Sequence, residues 1–237
     1  MVRVSFTSAV SFAPAFALAF TLAVCSCAEA YHERYPNECR RAKSFFEEYG
    51  NGFEQAGRDA GLSAAFLFAI VAPELSQVAY VSNKMETLAL KMLYVHGGAQ
   101  ADFSIGPFQM KPSFIERMET RAAAESDLKE RFADCLFVDL DSPASRAERI
   151  DRINTVEWSL RYLTLFCALT DRSFGALSFA SEEEKLCFYA TAYNCGFHKS
   201  EQQIRATASQ ALYPHFAQKK FKYRDVARWF YCNFSII

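Results

Sequence analysis

Apolar and polar positions repeat with helical period over most of the chain. From residue 38 to 60, Ala42, Phe45, Phe46, Tyr49, Phe53 and Ala56 fall three or four apart and make one helix face. Gly50-Asn51-Gly52 places a turn signal inside that stretch, enough to split it. Residues 63–80 start at Ser63, a fair N-cap, and run through an unbroken apolar segment from Ala64 to Ala72. That is the pattern of a central helix buried on every side. Pro73 has no backbone donor and is expected to bend or end this helix just before Glu74. Residues 84–95 predict a further short helix closed by Gly97-Gly98. Residues 99–112 carry no helical period and read as a loop or a small β-excursion. Helical period returns over 113–137, 143–171 and 181–193, the last opened by the acidic start Ser181-Glu182-Glu183-Glu184, and again over 223–234. There is no repeat, low-complexity segment or long linker. The pattern predicts an all-α fold (α+β at most) with one irregular or β excursion near residues 97–112.

Composition narrows this to one domain with an aromatic core. The 237 residues are 51% hydrophobic and 15% aromatic, with 23 Phe, while nine Gly and seven Pro are too few for a turn-rich β-sandwich. A formal net charge of -1 supplies no basic field, so no nucleic-acid partner is expected. The basic run Lys219–Arg224 reads as a solvated helix start.

Residues 1–30 read as a targeting segment, leaving 31–237 as the folded domain. Arg3 is followed by an apolar stretch from Val10 to Val24, broken by Pro14, and Ala28-Glu29-Ala30 fits a small-x-small cleavage site before Tyr31. Val24-Cys25-Ser26-Cys27 is a rival processing site of lipoprotein type, with Cys27 as the lipid-bearing residue. Both sites send the mature chain out of the cytoplasm, to the periplasm or to an outer-membrane anchor. Six cysteines remain, Cys39, Cys135, Cys167, Cys187, Cys195 and Cys232, permitting up to three disulfides in an exported protein. No Cys/His cluster has metal-ligand spacing, so no metal site is expected.

Three stretches carry candidate chemistry. Glu74 closes the apolar run, where lost hydration favours the neutral carboxyl and raises its pKa, as a general acid requires. In Asp102–Met110, Gly106 allows close backbone approach, and Gln109 offers both a donor and an acceptor to sugar hydroxyl or acetamido groups. In Ala192-Tyr193-Asn194-Cys195-Gly196 a helix meets a Gly cap, with a Tyr hydroxyl able to orient a carboxyl group.

In this order the three stretches resemble the lysozyme-like lytic transglycosylases of goose-lysozyme type. In that family a helix ending in a catalytic Glu is followed by a Gly-Leu-Met-Gln-like loop and then by Ala-Tyr-Asn-x-Gly. Here Leu67–Glu74, Gly106-Pro107-Phe108-Gln109 and Ala192–Gly196 match those parts. The resemblance implies a lysozyme-like domain that cleaves peptidoglycan between N-acetylmuramic acid and N-acetylglucosamine, without a cofactor. It implies Glu74 as the catalytic acid and base, Tyr193 orienting it, Ser104 and Gln109 on the sugar, and Asn194 holding the loop. Phe108 and Phe197 would stack on sugar faces. The chain departs from the family at Leu75, where Ser is usual, and in a longer gap from Glu74 to Gly106, within which Glu86 is a rival for the catalytic position. A hydrolytic muramidase with Asp102 as second carboxylate, and a non-catalytic glycan-binding relative, are the competing readings.

Overall fold

The computed structural model describes residues 31–77, 80–97, 101–215 and 217–234, without the side chains of 80–83 and 97. The expected targeting segment and Cys27 lie outside the described residues. A helical turn from Tyr31 leads into α1 (Pro36–Ala60) and α2 (Ala64–Gln77), with α3 (Tyr80–Gly97) after them. An irregular stretch precedes α4 (Pro112–Ala123) and α5 (Ser126–Arg131), and a 3₁₀ turn (Ala133–Cys135) precedes α6 (Pro143–Ile153) and α7 (Val156–Phe174). Then come α8 (Glu182–Cys195), α9 (Glu201–Ala208) and α10 (Tyr223–Cys232). The fold is all-α. No strand forms among the described residues, and the expected excursion is a turn closed by one antiparallel bridge between Ile105 and Met110.

The apolar run forms the centre. Phe66 to Ala72 of α2 are fully buried, packed between α1, α8 and α10. Phe68 meets the rings of Phe46, Phe53 and Phe230 at 5.0, 5.7 and 5.8 Å. Each such buried ring contributes roughly 1.5–3 kcal/mol by leaving water, and aromatic pairing adds about 0.5–1.5 kcal/mol. Ser63 caps α2 as expected, accepting from the Phe66 N–H at 3.1 Å.

Several sequence expectations are corrected. Gly50-Asn51-Gly52 does not split α1. Gly52 faces α7, where a Cβ would come within 2.8 Å of Leu160 Cδ1, so the glycine serves close helix packing. Pro73 does not end α2, which continues to Gln77. Carbonyls beside the proline are satisfied from elsewhere: Tyr223 donates to Ile70 O at 3.0 Å, and Ser76 Oγ to Pro73 O at 2.6 Å. The 143–171 stretch breaks at Asn154-Thr155, where Thr155 caps α7. Helix α9 is an addition to the helices the pattern predicts, and Ser200 and Gln203 form a capping box at its start. The six cysteines of the domain permit up to three disulfides, and none joins them in the structure.

A second anchor is polar. Arg149 of α6 and Glu119 of α4 are both fully buried and paired at 2.6 Å. Tyr162 of α7 donates to Glu119 at 3.1 Å, and Arg149 donates to the Tyr94 hydroxyl of α3 at 2.5 Å. The network joins four helices, and removing one charge of such a pair typically costs about 3–5 kcal/mol.

Candidate active site

Glu74 stands in the last turn of α2, one residue past Pro73. It is half-buried and lines a cleft of about 520 Å³, a size usual for ligand pockets. Ser104, Gln109, Tyr193 and Asn194 line the same cleft. All five site residues expected from sequence therefore meet, although they come from three separate stretches of chain. Glu86, the rival carboxylate, is on α3 and is not part of this lining. A slightly larger cavity of about 610 Å³ between α1 and α7 holds none of the five.

Burial pushes the Glu74 carboxyl from 4.5 up to about 8, and a hydrogen bond with the Tyr223 hydroxyl offsets part of the rise. Three buried tyrosines surround it. Burial first, and the Glu74 charge second, raise the hydroxyl pKa of Tyr193, Tyr213 and Tyr223 alike. Each phenol has a backbone acceptor: Tyr193 donates to Phe108 O at 2.7 Å, Tyr223 to Ile70 O, and Tyr213 to Pro73 O. A hydroxyl whose proton is committed to a carbonyl presents its oxygen as an acceptor. That suits a protonated Glu74, which can donate. When Glu74 ionises, Tyr223 is the hydroxyl able to turn its proton onto the carboxylate.

This corrects the role given to Tyr193. Its hydroxyl does not orient Glu74 but ties the end of α8 to the Gly106–Gln109 turn. The orienting hydroxyl belongs to Tyr223, the first residue of α10, hidden in sequence at the end of a basic run that read as a solvated helix start. Phe108 and Phe197 are also corrected. Both are buried, Phe108 against Phe45 and Phe53, and neither can stack on a sugar. The phenylalanine on the cleft wall is Phe114 of α4, edge-on to Tyr193 at 5.6 Å.

No protein-family model, curated protein or solved structure matches the chain.

The turn that carries Ser104 and Gln109 is rigidly held. Ile105 and Met110 exchange two backbone hydrogen bonds, both 3.0 Å. Gly106 takes φ +74°, and a Cβ there would fall 1.8 Å from Ile153 O, so only glycine fits against the end of α6. Gln109 is the one non-glycine at positive φ among the described residues, at 50°, a conformation that costs about 1–3 kcal/mol and gathers at functional sites. Its Nε2 donates to Gly106 O at 2.8 Å, which fixes the amide at the cleft wall.

Charge on the cleft is mixed. Asp102 accepts from the Ser113 N–H at 3.0 Å and hydroxyl at 2.8 Å, with Lys111 Nζ at 3.7 Å, so it caps the start of α4. Arg117 Nη1 lies 2.6 Å from both ring nitrogens of His198. Burial, Arg117 and Lys199 hold that imidazole below its ordinary pKa. Among the described residues no group of three or more His, Cys, Asp or Glu side chains could hold a metal ion.

Proposed function

We propose that the protein is a peptidoglycan lytic transglycosylase in which Glu74 is both acid and base. The observation that carries the reading is a carboxyl of raised pKa, about 8, on the wall of a cleft it shares with Ser104, Gln109, Tyr193 and Asn194. At pH 7 such a carboxyl is about nine-tenths protonated. It donates its proton to the glycosidic oxygen as the bond to C1 of N-acetylmuramic acid breaks. The substrate's own 2-acetamido oxygen closes on C1 and holds the positive charge. Glu74, now a carboxylate, takes the proton of the C6 hydroxyl, and O6 displaces the acetamido oxygen to leave a 1,6-anhydro end. One protein carboxylate suffices, unlike the usual paired scheme.

Asp102 supports this choice over hydrolysis. Its two oxygens already serve Ser113 and Lys111, which leaves it badly suited to activate water. Periplasmic or membrane-anchored location, from the targeting segment, belongs to the same proposal.

The test is digestion of purified sacculi with chromatography of the released muropeptides. Anhydro ends from the wild type and none from Glu74→Gln are expected, with the rate falling as pH rises through about 8. Reducing ends would assign a hydrolase. An active Glu74→Gln variant would remove Glu74 from its role, and an inert wild type would end the enzymatic reading.

A further inference from the structure

Seven large apolar side chains are well exposed among the described residues, and four of them are on α3: Met85, Leu88, Met92 and Leu93, at 51–66% exposure. Their helical spacing gathers them on one side. The opposite side holds Leu90 and Tyr94, buried where α3 packs on α6. Lys84 and Lys91 flank the exposed side rather than interrupt it, and Lys91 reaches Asp151 of α6 at 2.7 Å. Single exposed apolar residues such as Val138 and Leu212 need no explanation, but a continuous stripe marks a surface that meets something.

The N-terminal end of the domain indicates what. Tyr31 is fully buried, and its hydroxyl accepts from Gln77 Nε2 at 2.9 Å. Gln77 ends α2, three residues before α3 begins. Upstream, the apolar stretch Val10–Val24 stops six residues short of Tyr31, and Cys27 is closer still. The four residues from Cys27 to Ala30 span about 14 Å at most when fully extended. A lipid on Cys27, the first residue left by lipoprotein-type processing, is therefore held within that reach of the junction between α2 and α3.

We propose that α3 lays its Met85, Leu88, Met92 and Leu93 side on a lipid bilayer, parallel to the surface. The inference rests on the membrane-anchored location proposed above and not on the cleavage of peptidoglycan. A second copy of the chain fits less well, because four side chains offer a few hundred Å² against about 800 Å² from each partner in a stable dimer. Unbranched methionines, by contrast, adapt to disordered acyl chains.

The test uses protein purified from cells in its processed form. It is mixed with vesicles of phosphatidylethanolamine and phosphatidylglycerol carrying a photoactivatable acyl chain, and labelled residues are mapped by mass spectrometry. Label on residues 85–93 is expected, reduced about tenfold in the Met85→Gln, Leu88→Gln, Met92→Gln variant, whose glutamines keep helix propensity. The wild-type map stands without the variant should that chain not fold. Label confined to residues before Tyr31, no label at all, or undiminished α3 label in a folded variant overturns the proposal. So does a wild-type dimer, seen by sedimentation, that the substitutions dissociate and that leaves α3 unlabelled.

Discussion

Replacing Glu74 by Gln should stabilise the fold, by an amount that depends on pH. Burial holds the native carboxyl near 8, against 4.5 for the free group. Below pH 4.5 both folded and unfolded chains are protonated, and the site costs nothing. Between 4.5 and 8 the unfolded chain releases the proton while the folded chain keeps it, so wild-type stability falls as pH rises. Two and a half pH units separate 4.5 from pH 7, and at about 1.4 kcal/mol each they come to about 3 kcal/mol. Water in the cleft screens Glu74, so this figure is a ceiling. Gln keeps the shape and cannot ionise. Its melting temperature should match wild type near pH 4.5 and exceed it by up to roughly 10 °C at pH 7, for a domain of this size. Calorimetry across that range measures the gap. A gap that does not change with pH, or a Gln variant less stable than wild type at pH 8, would mean that the carboxylate is charged and satisfied in the fold. Glu74 would then be no reservoir of a proton, and the acid role would fall with it.

Three further outcomes are expected. Tyr223→Phe removes the donor to Ile70 O and the hydroxyl beside Glu74, so it should cost about 1 kcal/mol and raise the Glu74 titration further, read by carboxyl ¹³C NMR; Tyr193→Phe should shift that titration less, and the reverse order would restore Tyr193 as the orienting group. Asp102→Asn weakens the hold on the start of α4 by about 1 kcal/mol but should leave anhydro products in place; lost turnover in a chain of normal stability would instead make Asp102 the second carboxylate. Gly106→Ala, with φ +74° and a Cβ 1.8 Å from Ile153 O, should lower stability by more than about 2 kcal/mol, and an unchanged urea midpoint would mean the turn is not packed as described.

Period and composition made the helices legible because most of them bury one face. The Ala64–Ala72 run, buried on all sides, announced the central helix outright. What escaped were effects of distant neighbours on local signals. Gly52 looks like a turn until Leu160 of α7 is set against it, and Pro73 looks like a stop until Tyr223 and Ser76 supply donors for nearby carbonyls. In the site, motif order was enough to bring Glu74, Gln109 and Tyr193 to one cleft. It could not assign the hydroxyl partners. Which phenol meets Glu74 depends on the packing of α10, and no local feature of Lys222-Tyr223-Arg224 encodes it. The exposed stripe on α3 is hidden in the sequence for the opposite reason. Its pattern reads as an ordinary helix, and only burial distinguishes the face that packs from the face that does not.

The bonds around Pro73 also set the order in which the site can exist. Tyr213 and Tyr223 reach Pro73 and Ile70 across 140 and 153 residues of chain, while Tyr31 closes on Ser76 from the other end at 2.6 Å. A chain still emerging from the ribosome has the Glu74 helix but neither late tyrosine. Its acid stays wet and ordinary until nearly the last helix arrives. The surroundings that raise the Glu74 carboxyl are thus complete only when nearly the whole chain has been made.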